Sequence, residues 1–228
     1  MLALAGRSKT IIALLLVFGP AFLLVFISTR SCEHKFFELP NYGKVENISF
    51  KVYGKEGSFS VNDFRDEVVL ITTLQPTCPT DCAVSFWHID QMHFQHIRKN
   101  KRKKLKKTRI ISFVTDGKGN PASEEQVQTL YETMKDRVVE YDPELWMLAT
   151  GDAKQLYNIQ HNGQTLLQEG KDFYGGQGFQ ELLLLVDKDG NLRMVGKAET
   201  EGLVRKMKEH MALLHKQYDK ARKKSGDK

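Results

Sequence analysis

A chain of 228 residues with 41% hydrophobic and 27% charged side chains can bury a sizeable core, which excludes a disordered or low-complexity protein. Its net charge of +6 is local, because residues 98–107, RKNKRKKLKK, hold eight lysines and arginines. That run has no interleaved aromatic residue and no recognisable binding module, so nucleic acid is not the expected partner; it reads as a solvated loop or helix end, or as a contact for anionic lipid or an acidic protein.

Residues 10–29, TIIALLLVFGPAFLLVFIST, carry no charge and are long enough to span a bilayer, with Gly19-Pro20 as a kink. The apolar run is longer than that of a cleavable signal peptide, so an uncleaved anchor over residues 1–30 is expected. Arg7 and Lys9 before the span balance Arg30 and Lys35 after it, leaving orientation open. Residues 31–46 form a juxtamembrane linker whose Cys32 reads as a free thiol or a contact between chains. A folded domain over 47–216 and a basic, disordered tail over 217–228 complete the division.

Within the domain, residues 48–53 and 58–61 flank the turn Gly54-Lys55-Glu56-Gly57 and predict a hairpin. Residues 68–74, VVLITTL, predict a strand buried on both faces. Pro76 and Thr77 end it, and Cys78-Pro79 restarts the chain as a helix, since proline is tolerated at the first helical position. Cys82, four residues after Cys78, shares its helical face, so the pair can close a disulfide or hold a metal ion. The partial positive charge of the helix N-terminus favours both thiolates. Asp81 between them is a first-turn acid that suits the same dipole. The helix should continue through Phe86, Trp87, Ile89, Met92 and Ile97, with His93 and His96 as a solvated pair.

Further along, 109–116 predicts a second apolar strand, and Ser123 with Gln126 opens a capped helix to about 137. A short strand over 146–150 and a short helix over 152–159 follow. Residues 181–186 and 191–195 flank Asp187-Lys188-Asp189-Gly190 as a hairpin, and 200–218 repeats Leu203, Met207, Met211 and Leu214 at helical spacing. Strands alternating with helices and ending in a hairpin predict an α/β fold, a thioredoxin-like mixed sheet flanked by helices, with an N-terminal transmembrane helix.

Cys78-Pro79-Thr80-Asp81-Cys82 after an apolar strand, a strand ending Val114-Thr115-Asp116, and a leucine-rich strand ending Val186-Asp187-Lys188-Asp189-Gly190 together resemble the Sco/SenC family, over about residues 48–214. The segment from Cys32 to Gly43 is similar to the linker of bacterial members. The resemblance implies a thioredoxin-fold metallochaperone that assists assembly of the copper centre of cytochrome c oxidase. It implies a single-pass anchor in the inner membrane, with the domain in the periplasm. It also implies copper as the bound metal, Cys78 and Cys82 as its ligands, and the copper-binding subunit of the oxidase as partner. The family's third ligand is a histidine before the late strand, and that position falls at Phe179 here.

His88 lies about 9 Å along the helix axis from Cys82 and the other helix histidines lie farther, so none of them can join the cysteines at one ion; His161 falls in a loop that could fold back. Two thiolates alone suit Cu(I) better than Cu(II). The alternatives are an envelope thiol-disulfide oxidoreductase with Cys78 as nucleophile and no stable copper, acting on another envelope thiol protein, or a binding module with a permanent disulfide.

Overall fold

The computed structural model describes residues 14, 16–26, 38–76, 86–100, 107–116, 119–157, 160–161, 164–165, 182–198 and 200–226. The chain forms two compact units, Met1–Phe37 and Glu38–Lys228. In the first, residues 14 and 16–26 are helical, and their large apolar side chains are exposed, from 52% at Leu14 to 73% at Phe22. Among the described residues no helix is long and apolar enough to cross a membrane; both ends of the expected span, 10–13 and 27–29, lie outside them.

The second unit is built on a mixed sheet of seven strands. β1 (Ser49–Val52) pairs antiparallel with the two-residue β2 (Phe59–Ser60), as the Gly54 to Gly57 turn predicts. β3 (Val68–Leu74) lies parallel to β4 (Thr108–Val114), and β4 parallel to β5 (Trp146–Thr150). A helix described over 86–100, α1, follows β3, α2 (Glu124–Arg137) follows β4, and α3 (Ala153–Tyr157) follows β5. β6 (Gln160–His161) and β7 (Gln164–Thr165) pair only with each other, so His161 belongs to a small hairpin rather than to an open loop. β8 (Leu182–Val186) and β9 (Leu192–Lys197) form the late hairpin, with β8 antiparallel to β3. The order across the sheet is β2-β1-β5-β4-β3-β8-β9.

Why β3 is central follows from its composition: all seven residues are buried, because the sheet is covered on both faces. One face meets Ile89, Phe94 and Ile97 of α1, Val127 and Met134 of α2, and Val204, Met207, Met211 and Leu214 of the last helix, α4 (Glu201–Ser225). The other face is covered more thinly, by Val61 and Phe64 of a 3-10 turn (Val61–Phe64) and Ala153 and Leu156 of α3. Helices flank both faces, as expected, but the three long ones share one of them.

Helix ends obey local chemistry. Ser123 caps α2, its hydroxyl accepting from Gln126 N at 3.3 Å while the Gln126 side chain accepts from Ser123 N at 3.0 Å; the capping box is as predicted. Thr200 caps α4. That helix does not stop near Tyr218 but continues to Ser225, because Lys220, Ala221 and Arg222 are good helix formers and no breaker intervenes. It ends where Gly226 takes φ +78°, the left-handed conformation that terminates helices.

Candidate thiol site

The parallel strands β3, β4 and β5 bring their carboxyl ends to one edge of the sheet, the edge at which open α/β sheets place their sites. β3 delivers the chain there: Leu74 O accepts from Thr115 N at 2.9 Å, which ties the last residue of β3 to the residue following β4. Cys78 and Cys82, like Cys32 and Phe179, lie outside the described residues. What the structure defines is the frame on either side of the pair.

On the far side, α1 is fixed by aromatic packing. Phe86 stacks on Trp146 with ring centres 5.6 Å apart, and Phe94 meets the same indole at 5.5 Å. Trp146 is in turn held from within the sheet. Its Nε1–H donates to Ser112 Oγ at 2.8 Å, and Ser112 Oγ shares a 2.6 Å hydrogen bond with Thr72 Oγ1. These three buried groups run across β3, β4 and β5 and satisfy one another, which is what makes polar atoms tolerable in a core. A second tie comes from His88, whose Nδ1–H donates to Ala198 O at 2.9 Å in the connection between β9 and α4. The helix that follows the cysteines is therefore seated on the sheet and pinned to the neighbouring loop.

The middle of α1, Ile89–Phe94, is π-helical, a one-residue widening that is rare and concentrated at functional sites. Phe94 is the fully buried residue and Met92 only partly so, and His93 is buried rather than solvated. Neither ring nitrogen of His93 has a hydrogen-bond partner; burial, reinforced by His96, Lys208 and His88, pushes its pKa down to about 3. His96 is shifted in the same direction by burial and by Lys208. The buried Asp90 faces the other way and accepts from Gln91 Nε2 at 2.6 Å and Gln95 Nε2 at 3.0 Å. Among the described residues no group of three His, Cys, Asp or Glu could hold a metal ion.

Two further polar groups sit at the carboxyl edge on the face opposite α1. Thr73 and Thr115 are fully buried and their hydroxyls have no partner. An unsatisfied buried hydroxyl is a cost that nothing offsets, so Thr73→Val is expected to raise stability by about 1 kcal/mol. Denaturant unfolding checks it; a loss of stability would mean that the hydroxyl has a partner in solution.

Beyond the edge, the turn after β4 is closed by Asp116, whose carboxylate accepts from Asn120 N at 2.8 Å and Asn120 Nδ2 at 2.7 Å. At the opposite end of the sheet, beside the start of β3, where Asp66 N donates to Lys188 O at 2.9 Å, the turn between β8 and β9 is built on Asp187. Its carboxylate accepts from Asp189 N, Asn191 N, Asn191 Nδ2 and Arg193 Nη1 at 2.8–3.2 Å, and Arg193 also donates to Leu39 O and Pro40 O. Sequence reading found the turn but not this link to the linker, because the partners are some 150 residues apart.

The sequence matches no protein-family model, and no curated protein matches it. Solved structures do match in fold. One is BsSco, a member of the Sco family of cytochrome c oxidase assembly proteins for which a disulfide switch is described, with TM-score 0.53 and 17% identity over 80% of this chain and 98% of that one. Another is a candidate protein disulfide isomerase from Bacteroides thetaiotaomicron, with TM-score 0.50 and 11% identity over 79% of this chain and 95% of that one. A third is a candidate electron transfer protein from Aquifex aeolicus VF5, with TM-score 0.50 and 12% identity over 77% and 98%. At these identities the likeness establishes the fold.

Proposed function

We propose that this chain is a membrane-anchored, Sco-like dithiol protein that takes up Cu(I) through Cys78 and Cys82 and passes it to the copper-binding subunit of cytochrome c oxidase. The observation that carries the reading is that a Cys-x-x-x-Cys pair stands in the sequence between β3 and α1, in a domain whose fold BsSco shares. Copper is cargo here. Two thiolates are a soft donor pair, and Cu(I) accepts low coordination numbers, so the ion can be held without the histidine that Phe179 replaces. It can leave by exchange of one thiolate at a time for ligands of the acceptor. The exposed apolar side chains between Leu14 and Phe26 support a membrane anchor, and the Sco/SenC resemblance is what favours the inner membrane, with the domain on its periplasmic side.

A second reading is favoured by the missing histidine. The pair then acts as a thiol-disulfide oxidoreductase. The Cys78 thiolate attacks a partner disulfide and expels one partner thiolate; Cys82 resolves the mixed disulfide and releases the second. Two electrons pass to the partner, and Cys78–Cys82 is left oxidised.

Titrating the reduced full-length chain in detergent micelles with Cu(I) and, separately, Cu(II), against a competing chelator, tests the choice. One Cu(I) bound per chain, with Cu(II) held far more weakly, is the expected result. Failure to compete for Cu(I), together with reduction of a disulfide substrate, replaces the first reading with the second.

A further inference from the structure

The seam between α1 and α4 gathers titratable nitrogen groups, and among the described residues no carboxylate acts on His93 or His96. His93 projects from the π-helical turn into complete burial with both nitrogens unpartnered. The groups acting on it are His88 and His96 of α1 and Lys208 of α4, and no carboxylate is among them. Asp90, the acid of that turn, is engaged with Gln91 and Gln95. Such a site accepts a neutral imidazole at some cost and an imidazolium hardly at all, since a buried charge without a partner is far more expensive than a buried dipole.

We propose that this seam is an acid-released latch: a proton taken up at His93 is accommodated only when α1 comes away from α4, so acid frees the helix that follows Cys78 and Cys82. The linkage has one sign. With the seam closed the ring stays neutral down to a pH of about 3, whereas with the seam open it takes up a proton below its ordinary value of 6.5. Between those limits the open form binds one proton more than the closed form, and each unit of falling pH favours opening tenfold. His88 makes the release consequential, because its bond to Ala198 O is on the same helix and opens with it.

Amide hydrogen exchange on the full-length chain in detergent micelles, expressed as protection factors from pH 7 to pH 4.5, tests the latch. Protection in α1 and α4 is expected to fall about tenfold per unit below pH 6.5 while β3 and β4 keep theirs. In His93→Leu, which fills the site with an apolar side chain, protection in the seam should be flat over the same range. Three results would overturn the proposal: a flat profile in the unsubstituted chain, an equal loss across the sheet, or an undiminished slope in His93→Leu. Should that variant not fold, histidine-labelled NMR of the unsubstituted chain decides. A His93 ring that remains neutral in the closed form through pH 5 supports the latch, and one that titrates near 6.5 with the seam still protected refutes it.

Discussion

Replacing Cys78 and Cys82 together by serine should abolish Cu(I) binding by the reduced chain. The loss should exceed the roughly 10–100-fold that follows removal of an outer-shell partner, because it removes the metal-bound atoms themselves. A serine hydroxyl remains protonated at neutral pH and is a hard donor, so it does not substitute for a thiolate at a soft ion. The single variants separate the two proposed functions. If the pair carries out thiol exchange with Cys78 attacking, Cys82→Ser accumulates a mixed disulfide with an oxidised partner and Cys78→Ser does not. If Cys78→Ser is the variant that traps, Cys82 is the nucleophile. Copper affinity unchanged in the double variant would dismiss the pair as the copper site altogether.

Asp187→Ala should cost about 3–5 kcal/mol of stability, the range found when one partner of a buried ion pair is removed. The side chain is only 3% exposed and its salt bridge to Arg193 spans 3.0 Å. Its loss leaves the Arg193 guanidinium with carbonyl acceptors but no counter-charge from Asp187, and leaves Asp189 N and Asn191 N without their acceptor. The effect should also reach the residues that Arg193 holds, Leu39 and Pro40. Asp187→Asn keeps a carbonyl for the backbone donors and should cost clearly less. Urea unfolding of both variants measures the difference; a cost below 1 kcal/mol for Asp187→Ala would mean that the pairing of β8 with β9 holds the turn unaided.

What the sequence made legible was local. The apolar run of β3, the capping box of α2, the Asp-Lys-Asp-Gly turn and the helical spacing of Met207, Met211 and Leu214 each depend on neighbours a few residues apart, where propensity and periodicity are reliable guides; the first member of that stripe is Val204, and Leu203, expected there, is 40% exposed. The alternation of these elements was enough to anticipate a mixed, helix-flanked sheet. Features that depend on distant partners were not legible. Nothing around Ser112 announces that Trp146 will donate to it, and nothing around Arg193 points to Leu39. His93 shows a different limit. It stands four residues after Ile89 and four before Ile97, so ordinary helical spacing already sets it on their buried face; its polarity, not its position, pointed to solvent. The basic end of α4 shows the converse: its charge suggests disorder, yet it is helical to Ser225, because lysine and arginine are good helix formers. The cysteine pair itself remains a reading of spacing and resemblance, framed by the strand before it and the helix after it.

The seating of α1 on Trp146 also gives the molecule its own optical gauge. It has two tryptophans. Trp87 is 54% exposed, while Trp146 is sealed beneath Phe86 and Phe94 with its indole N–H held by Ser112. One therefore emits as a solvated indole that iodide can quench, and the other as an apolar one that it cannot. Any event at the cysteines that shifts the first described turn of α1 moves Phe86 against the buried ring and so changes the blue component of the fluorescence, while Trp87, in the same turn and against His88, reports the movement from the solvent side. The proposed metal capture, disulfide closure and acid release would each be followed in the unlabelled protein by this signal.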